Sequence, residues 1–270
     1  MTSNTKQKYT YKDIKATYKT ADAVWTVFAV DPLVTPIIYL VSNFTKLSPT
    51  FFTFLGLFLS AISSSCFIQG TKPYLIAGAI LFELAFWSDC IDGKLARLTG
   101  NSSAGGAFFE LLFDQFRLLL IVLGIAYGQF RITGDYVIII MSLVYIIFHF
   151  FWMSLWYIYT KANKIRLLKY NPSYTEDPTL SFKKKLIMKN IKPKGLRNII
   201  GFYALKHRVL SRYSSVEIDT IVFIFAPIFL EPKTGFIIGI ILWTALTIFK
   251  VLDFSLTINK PPKFMDESET

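Results

Sequence analysis

Four carboxylates lie within a 26-residue stretch of a largely apolar chain, at spacings that place them on helix faces. Asp89 and Asp92 are three residues apart, and Glu110 and Asp114 are four apart, so each pair shares one face of a helix. Two adjacent antiparallel helices would aim all four side chains into one gap. Such a concentration of negative charge needs a counter-charge, and Mg²⁺ or Mn²⁺ prefers carboxylate oxygens. The pattern predicts a site for two divalent ions that bridge a pyrophosphate.

Small and basic residues continue the same two faces. Gly93, Ala96 and Arg97 follow the two aspartates at helical spacing, and Gly106 lies four residues before Glu110. A glycine allows a nucleotide to approach the backbone closely, and an arginine supplies a fixed cation for phosphate oxygens. These residues therefore predict a phosphate-binding pocket beside the metal.

The stretch from Asp89 to Asp114 resembles the signature of the CDP-alcohol phosphotransferases. That signature reads D-x-x-D-G-x-x-A-R, about eight residues, then G-x-x-x-D-x-x-x-D, and seven of its eight fixed positions match here. The stretch 48–53 is similar, more weakly, to the P-N-x-x-T element of many members. Glu110 departs from the signature, which has aspartate there, and its carboxylate stands one methylene further from the backbone. Either the site has adapted to Glu110 or activity is lost; the retained Asp114 favours adaptation.

The resemblance implies a transferase that moves a phospho-substituent from a CDP-linked donor to an alcohol and releases CMP. It makes Asp114 the base that takes the proton of the attacking alcohol. We expect CDP-diacylglycerol as donor and a small polar alcohol as acceptor, in phospholipid biosynthesis. The alternatives are a CDP-head-group transferase to a lipid alcohol such as diacylglycerol, and a non-catalytic or transport protein derived from the fold. The implied metal ligands, for two Mg²⁺ or Mn²⁺ ions, are Asp89, Asp92, Glu110 and Asp114, and the implied substrate-binding residues are Asp92, Gly93, Ala96, Arg97 and Gly106.

Composition indicates that these residues are carried by membrane helices. Of 270 residues, 53% are hydrophobic and only 17% charged, too few to cover the surface of a soluble domain. The net charge of +11 suits nucleic acid or an anionic membrane, and apolar runs of spanning length favour membrane lipids over nucleic acid. We predict an all-α polytopic membrane protein, with two interfacial amphipathic helices at 6–23 and 32–47. The six predicted spans are 51–70, 73–92, 106–129, 136–160, 216–230 and 236–256.

The distribution of positive charge predicts the topology. The segment 161–215 holds fourteen lysines and arginines, whereas the predicted outer loops hold one each: Lys72, Arg131 and Lys233. The positive-inside rule places that segment, both termini and the candidate site in the cytoplasm. The predicted domains are a cytoplasmic arm with interfacial helices (1–48), a catalytic membrane domain (49–257) and a cytoplasmic tail (258–270). A second copy of the chain is a further candidate partner.

Each of the other charged residues has a structural and a functional interpretation. Glu83 is either a structural hydrogen-bonding group or a partner of the site, Arg117 pairs with a carboxylate or an anionic lipid, and His149 is expected to pack. The basic segment is expected to lie on anionic lipid, with contact to a phosphorylated acceptor as the alternative. Glu217 and Asp219 would hold the acceptor or face basic loop residues, and Lys250 and Asp253 would form an interfacial pair. The candidates for contact with a phosphorylated acceptor are Arg197, Lys206 and Arg208.

Overall fold

The described residues form helices throughout. The computed structural model describes residues 9–170, 203–204, 206–210 and 213–258. Within them there is no β-strand, only one isolated bridge between Asp22 and Val209. The prediction of an all-α polytopic membrane protein is therefore confirmed. Among the described residues of the predicted helix at 6–23, only 11–16 form a helix. Most of the basic segment 161–215 lies outside the described residues.

Eight helices follow one another along the described chain. Two of them contain a π-helical turn: α2 begins with Thr26–Val30 and continues as Asp31–Phe44, and α7 is built from Ser215–Thr220, Ile221–Phe225 (π-helical) and Ala226–Phe229. The others are α1 (Tyr11–Ala16), α3 (Pro49–Gln69), α4 (Lys72–Thr99), α5 (Ala104–Thr133), α6 (Val137–Tyr170) and α8 (Pro232–Thr257).

Five helices of the described chain are long and apolar enough to cross a membrane. They are Thr26–Phe44, Pro49–Gln69, Lys72–Thr99, Val137–Lys169 and Pro232–Thr257. The predicted spans 106–129 and 216–230 are not among these five, whereas α2, which contains most of the predicted interfacial segment 32–47, is. The count of six spans and the interfacial position of 32–47 therefore stay predictions.

The link between α4 and α5 brings the two carboxylate pairs to one end of the bundle. Gly100 ends α4 in a left-handed conformation with φ of 69°, which glycine adopts without strain. Three residues later, the Ser103 side chain accepts a hydrogen bond from the Gly106 amide and starts α5. Because the link is so short, the end of α4 and the beginning of α5 stay close together.

Small residues allow α3 to pack closely against both α4 and α5. The Ser63 hydroxyl donates to the Gly78 carbonyl of α4 at 2.7 Å, and the Ser64 hydroxyl donates to the Leu120 carbonyl of α5 at 2.5 Å. A Cβ on Gly128 would overlap the Phe67 carbonyl oxygen. Close approach of helices through small residues and interhelical hydrogen bonds is typical of membrane bundles, where lipid gives no hydrophobic drive.

A second layer consists of α6, α7 and α8, packed through aromatic rings. Tyr145 is fully buried, and its ring centre lies 5.6 Å from that of Phe223 and 5.5 Å from that of Phe236. His149 packs edge-on against Trp243, with ring centres 5.3 Å apart. This arrangement agrees with the prediction that His149 is a packing residue.

Candidate functional site

Three of the four predicted carboxylates meet at one point. Asp89 and Asp92 project from α4, and Glu110 from the second turn of α5. One oxygen from each lies within 4.8 Å of the others. Asp92 is buried, Asp89 half-buried and Glu110 partly exposed, so the cluster is open on the α5 side.

Asp92 is oriented by a residue of α3. The Thr53 hydroxyl donates a hydrogen bond to Asp92 Oδ2 at 2.7 Å. The other oxygen, Oδ1, is buried and has no hydrogen-bond partner among the described residues. Thr53 had no predicted role, although it is the threonine of the stretch 48–53 that weakly resembles the P-N-x-x-T element, and this resemblance pointed to it.

Asp114, the fourth carboxylate, is bound by Arg117 instead of joining the other three. The Arg117 guanidinium donates to Asp89 Oδ1 at 2.7 Å and also contacts Asp114 Oδ1. Space for the guanidinium comes from Gly56 of α3, where a Cβ would lie 2.9 Å from Arg117 Nη1. Of the two interpretations of Arg117, pairing with a carboxylate agrees with the structure. Arg117 also fixes Asp114 beside the cluster, which sequence spacing did not indicate.

The donor set fits a hard divalent cation. All three groups offer carboxylate oxygen, the ligand that Mg²⁺ and Mn²⁺ prefer. Ligands of an octahedral Mg²⁺ ion at 2.0–2.1 Å lie about 3 Å apart when adjacent and about 4.2 Å apart when opposite, so three oxygens within 4.8 Å of one another must close by about one to two ångströms to share one ion. The buried, unpartnered Oδ1 of Asp92 is an acceptor that a cation would satisfy.

The other predicted substrate-binding residues lie on the same two helices, Gly93, Ala96 and Arg97 on α4 and Gly106 on α5. Arg97 is exposed, and its Nε donates to the Thr17 carbonyl at 2.8 Å. A Cβ on Gly93 would lie 3.4 Å from Arg97 Nη1, so the guanidinium reaches over that glycine. Gly106 is exposed in the first turn of α5. The backbone carbonyl of Ala96 accepts a hydrogen bond from the Asn101 amide, a contact that closes the end of α4.

The remaining acidic candidates mostly have structural partners. Glu83 accepts hydrogen bonds from the indole nitrogens of Trp87, at 2.7 Å, and Trp25, at 3.2 Å. Asp219 accepts from the Tyr145 hydroxyl at 2.5 Å. Glu217 accepts from the Ser214 amide in a capping box. These contacts agree with a structural role for Glu83 and Glu217, and they give Asp219 a buried hydrogen-bond partner.

Among the basic candidates, Arg208 points inward to Asp31, with 3.1 Å between Nη1 and Oδ2. Lys206 is exposed. Arg197 lies outside the described residues. In α8, Lys250 Nζ lies 3.3 Å from the centre of the Tyr159 ring.

Fold and site together define a polytopic helical membrane protein with an acidic cluster suited to divalent metal. Residues 46–177 match the model of the CDP-alcohol phosphatidyltransferase family, a range that includes α3 to α6 and all four carboxylates. No curated protein matches the chain. Over this range the chain is similar to the CDP-alcohol phosphatidyltransferase family, whose members are transferases of phospholipid synthesis and are typically metal-dependent.

Proposed function

We propose that this protein is an active transferase that uses CDP-diacylglycerol as donor and a small polar alcohol as acceptor, and releases CMP. The observation that supports the proposal best is the meeting of Asp89, Asp92 and Glu110 at the signature positions, with an unpartnered oxygen on Asp92. A decayed site would have no need to keep such a costly group of carboxylates in an apolar bundle.

In the proposed mechanism, Asp89, Asp92 and Glu110 hold the metal, and Arg97 binds phosphate oxygens of the donor. Divalent metal at this position supplies positive charge that stabilises the charge developing on the phosphate as the bond to CMP breaks. The acceptor hydroxyl approaches from the open α5 side, where Asp114 takes its proton. Arg117 contacts both Asp114 and Asp89, which keeps the proposed base beside the proposed metal ligands.

The Glu110 side chain reaches the cluster despite its departure from the signature. The extra methylene lets a residue of α5 extend to the two aspartates of α4. We therefore propose that the site has adapted to glutamate. In this proposal Gly93 and Gly106 leave room for the nucleotide, and Asp89, Asp92, Glu110 and Asp114 would hold two ions.

The lipid membrane determines where the substrates meet. A lipid donor approaches within the bilayer, whereas a small polar alcohol approaches from water, so a site at one end of the helices suits both. The positive charge of 161–215 supports a cytoplasmic site. A homodimer is compatible with this arrangement, because α6 and α8 bear many exposed apolar side chains.

CMP release from purified protein tests the proposal. Protein in lipid nanodiscs is incubated with Mg²⁺ or Mn²⁺ and with CDP-diacylglycerol plus a panel of small polar alcohols. A parallel series contains CDP-linked head groups plus diacylglycerol. We expect CMP only in the first series and none with the Asp92→Asn variant. CMP in the second series alone would reverse the roles of donor and acceptor, and CMP in neither would favour a non-catalytic protein.

A further inference from the structure

A buried ion cluster joins three distant parts of the chain next to the candidate site. Asp31 Oδ1 lies 3.0 Å from Lys94 Nζ, and its Oδ2 lies 3.1 Å from Arg208 Nη1. Asp31 is 3% and Lys94 4% exposed. Lys94 belongs to the same turns of α4 as Asp92 and Arg97. One carboxylate thus ties α2 and the residues before α7 to the part of α4 that bears the signature.

The backbone at Arg208 is held in an uncommon conformation. Arg208 has a φ of 62°, the only positive value at a non-glycine residue in the described part of the chain. Such a conformation persists where surrounding contacts impose it. Here the Asp22 amide donates to the Arg208 carbonyl at 2.8 Å, and the Leu210 amide donates to the Asp22 carbonyl at 2.8 Å. These contacts hold the backbone in place while the side chain reaches inward to Asp31.

The ion cluster contacts the three residues that follow α1, which we name the Tyr18 segment (17–19). The Arg208 guanidinium carbon lies 4.2 Å from the centre of the Tyr18 ring, and Arg208 Nε donates to the Lys19 carbonyl at 3.2 Å. The Tyr18 hydroxyl contacts the Thr35 hydroxyl one turn after Asp31. A cation stacked on an aromatic ring fixes both groups.

The Tyr18 segment in turn fixes Arg97. The Thr17 carbonyl accepts the Nε hydrogen of Arg97 at 2.8 Å, so this edge of the guanidinium is occupied. The two terminal nitrogens lie 3.4 and 3.9 Å from where a Cβ on Gly93 would be. The fork of the guanidinium is therefore presented over Gly93 before any substrate binds. A planar fork held in place loses less freedom when it binds phosphate.

We propose that Asp31, Lys94 and Arg208 are positioning residues, which hold the Arg97 guanidinium over Gly93 through the Tyr18 segment and so prepare it for the phosphates of CDP. This inference rests on the proposed function, since it requires Arg97 to meet the donor phosphates. It assigns a role to the N-terminal arm, whose Thr17 carbonyl accepts the Arg97 hydrogen bond, and to Arg208, which acts without touching substrate.

A double-mutant cycle on CDP binding tests the inference. The probe is CDP with Mg²⁺, titrated calorimetrically into the full chain in detergent. We expect Asp31→Asn to weaken CDP binding about tenfold, the loss of one well-placed hydrogen bond to a charged group. In the Arg97→Ala background, Asp31→Asn should have no further effect, because the residue acts through Arg97. An unchanged affinity of Asp31→Asn, or an equal loss in both backgrounds, would overturn the inference.

Matched variants separate positioning from general destabilisation. Asp135→Asn removes an ion pair with Lys233 (2.5 Å) beyond the far end of α5 and should leave CDP affinity unchanged. If Asp31→Asn cannot be recovered folded, Tyr18→Leu keeps the ion cluster intact and should show the same Arg97-dependent loss. Wild-type protein that binds no CDP would overturn the proposed function together with this inference. Wild-type binding with an additive cycle would overturn this inference alone.

Discussion

The first half of α5 is open and bears two of the signature carboxylates, whereas its second half is buried against α3. Every buried residue of α5 lies between Leu118 and Gly128, and none lies in the turns that contain Glu110 and Asp114. At Gly105 a Cβ would meet nothing within 4 Å, while at Gly128 it would overlap backbone. The buried half anchors the helix, and the open half leaves its carboxylates accessible. One continuous helix therefore combines a fixed position with an accessible site.

Arg117 marks the boundary between the two halves. It is the last charged residue before the buried stretch, and it contacts α4 at Asp89 and lies beside α3 at Gly56. Because packing fixes the buried half, the Arg117 guanidinium also holds Asp114 in a fixed position. The geometry of the open half therefore depends on the packing of the buried half.

The largest expected effect concerns the open half. Asp114→Asn keeps the shape of the side chain but removes its ability to take a proton. We expect kcat for CMP release to fall by about 10²–10⁴-fold, with unchanged thermal unfolding in detergent. An active Asp114→Asn variant would mean that the open half supplies metal ligands but not the base.

The next effect concerns the departure from the signature. Glu110→Asp restores the family pattern but shortens the side chain at a position that meets Asp89 and Asp92. A displacement of about 1 Å can cost up to about a hundredfold in rate, so CMP release at saturating Mg²⁺ should decrease. An increase, or rescue of an inactive wild type, would identify Glu110 as a lesion and contradict the adapted site.

A pair of glycine substitutions tests the difference between the two halves directly. Gly128→Ala forces a methyl group onto the Phe67 carbonyl, and we expect a loss of about 1–3 kcal/mol in the free energy of unfolding. Gly105→Ala enters open space in a helix, where alanine is favoured by about 0.5–1 kcal/mol. Thermal unfolding of both variants in detergent measures the contrast. Equal effects would show that the packing of α5 on α3 is looser than the structure indicates.

The smallest effect lies just beyond the buried end of α5. The Lys233 ammonium and the Val137 amide lower the pKa of Asp135 below its usual value of 3.8. A lowered folded-state pKa gives stability that is present above about pH 4 and is lost as pH falls through the lowered value. Asp135→Asn should therefore lower Tm slightly at neutral pH, and by progressively less as the pH falls below about 4. A large shift at neutral pH would contradict the small worth of exposed pairs.

The sequence by itself determined the class of the protein and the meeting of three carboxylates. Apolar content and run length require a bilayer, and spacings of three and four residues require shared helix faces, whatever the packing. A short link closed by Gly100 and Ser103 then makes the approach of Asp89, Asp92 and Glu110 nearly unavoidable. These features depend on local chemistry, so a single sequence can reveal them.

Only the tertiary structure decided which distant residues complete the site. Three contacts join residues that are far apart in the chain. The separation is 39 residues for Thr53 and Asp92, 28 for Arg117 and Asp89, and 80 for Arg97 and the Thr17 carbonyl. No periodicity encodes such pairings, because they depend on how helices cross and rotate. Arg208 shows the same limit: its charge suggested an exposed basic segment, and the fold turned it inward to the buried Asp31. A buried cation needs a partner charge, and only packing determines which carboxylate lies within reach.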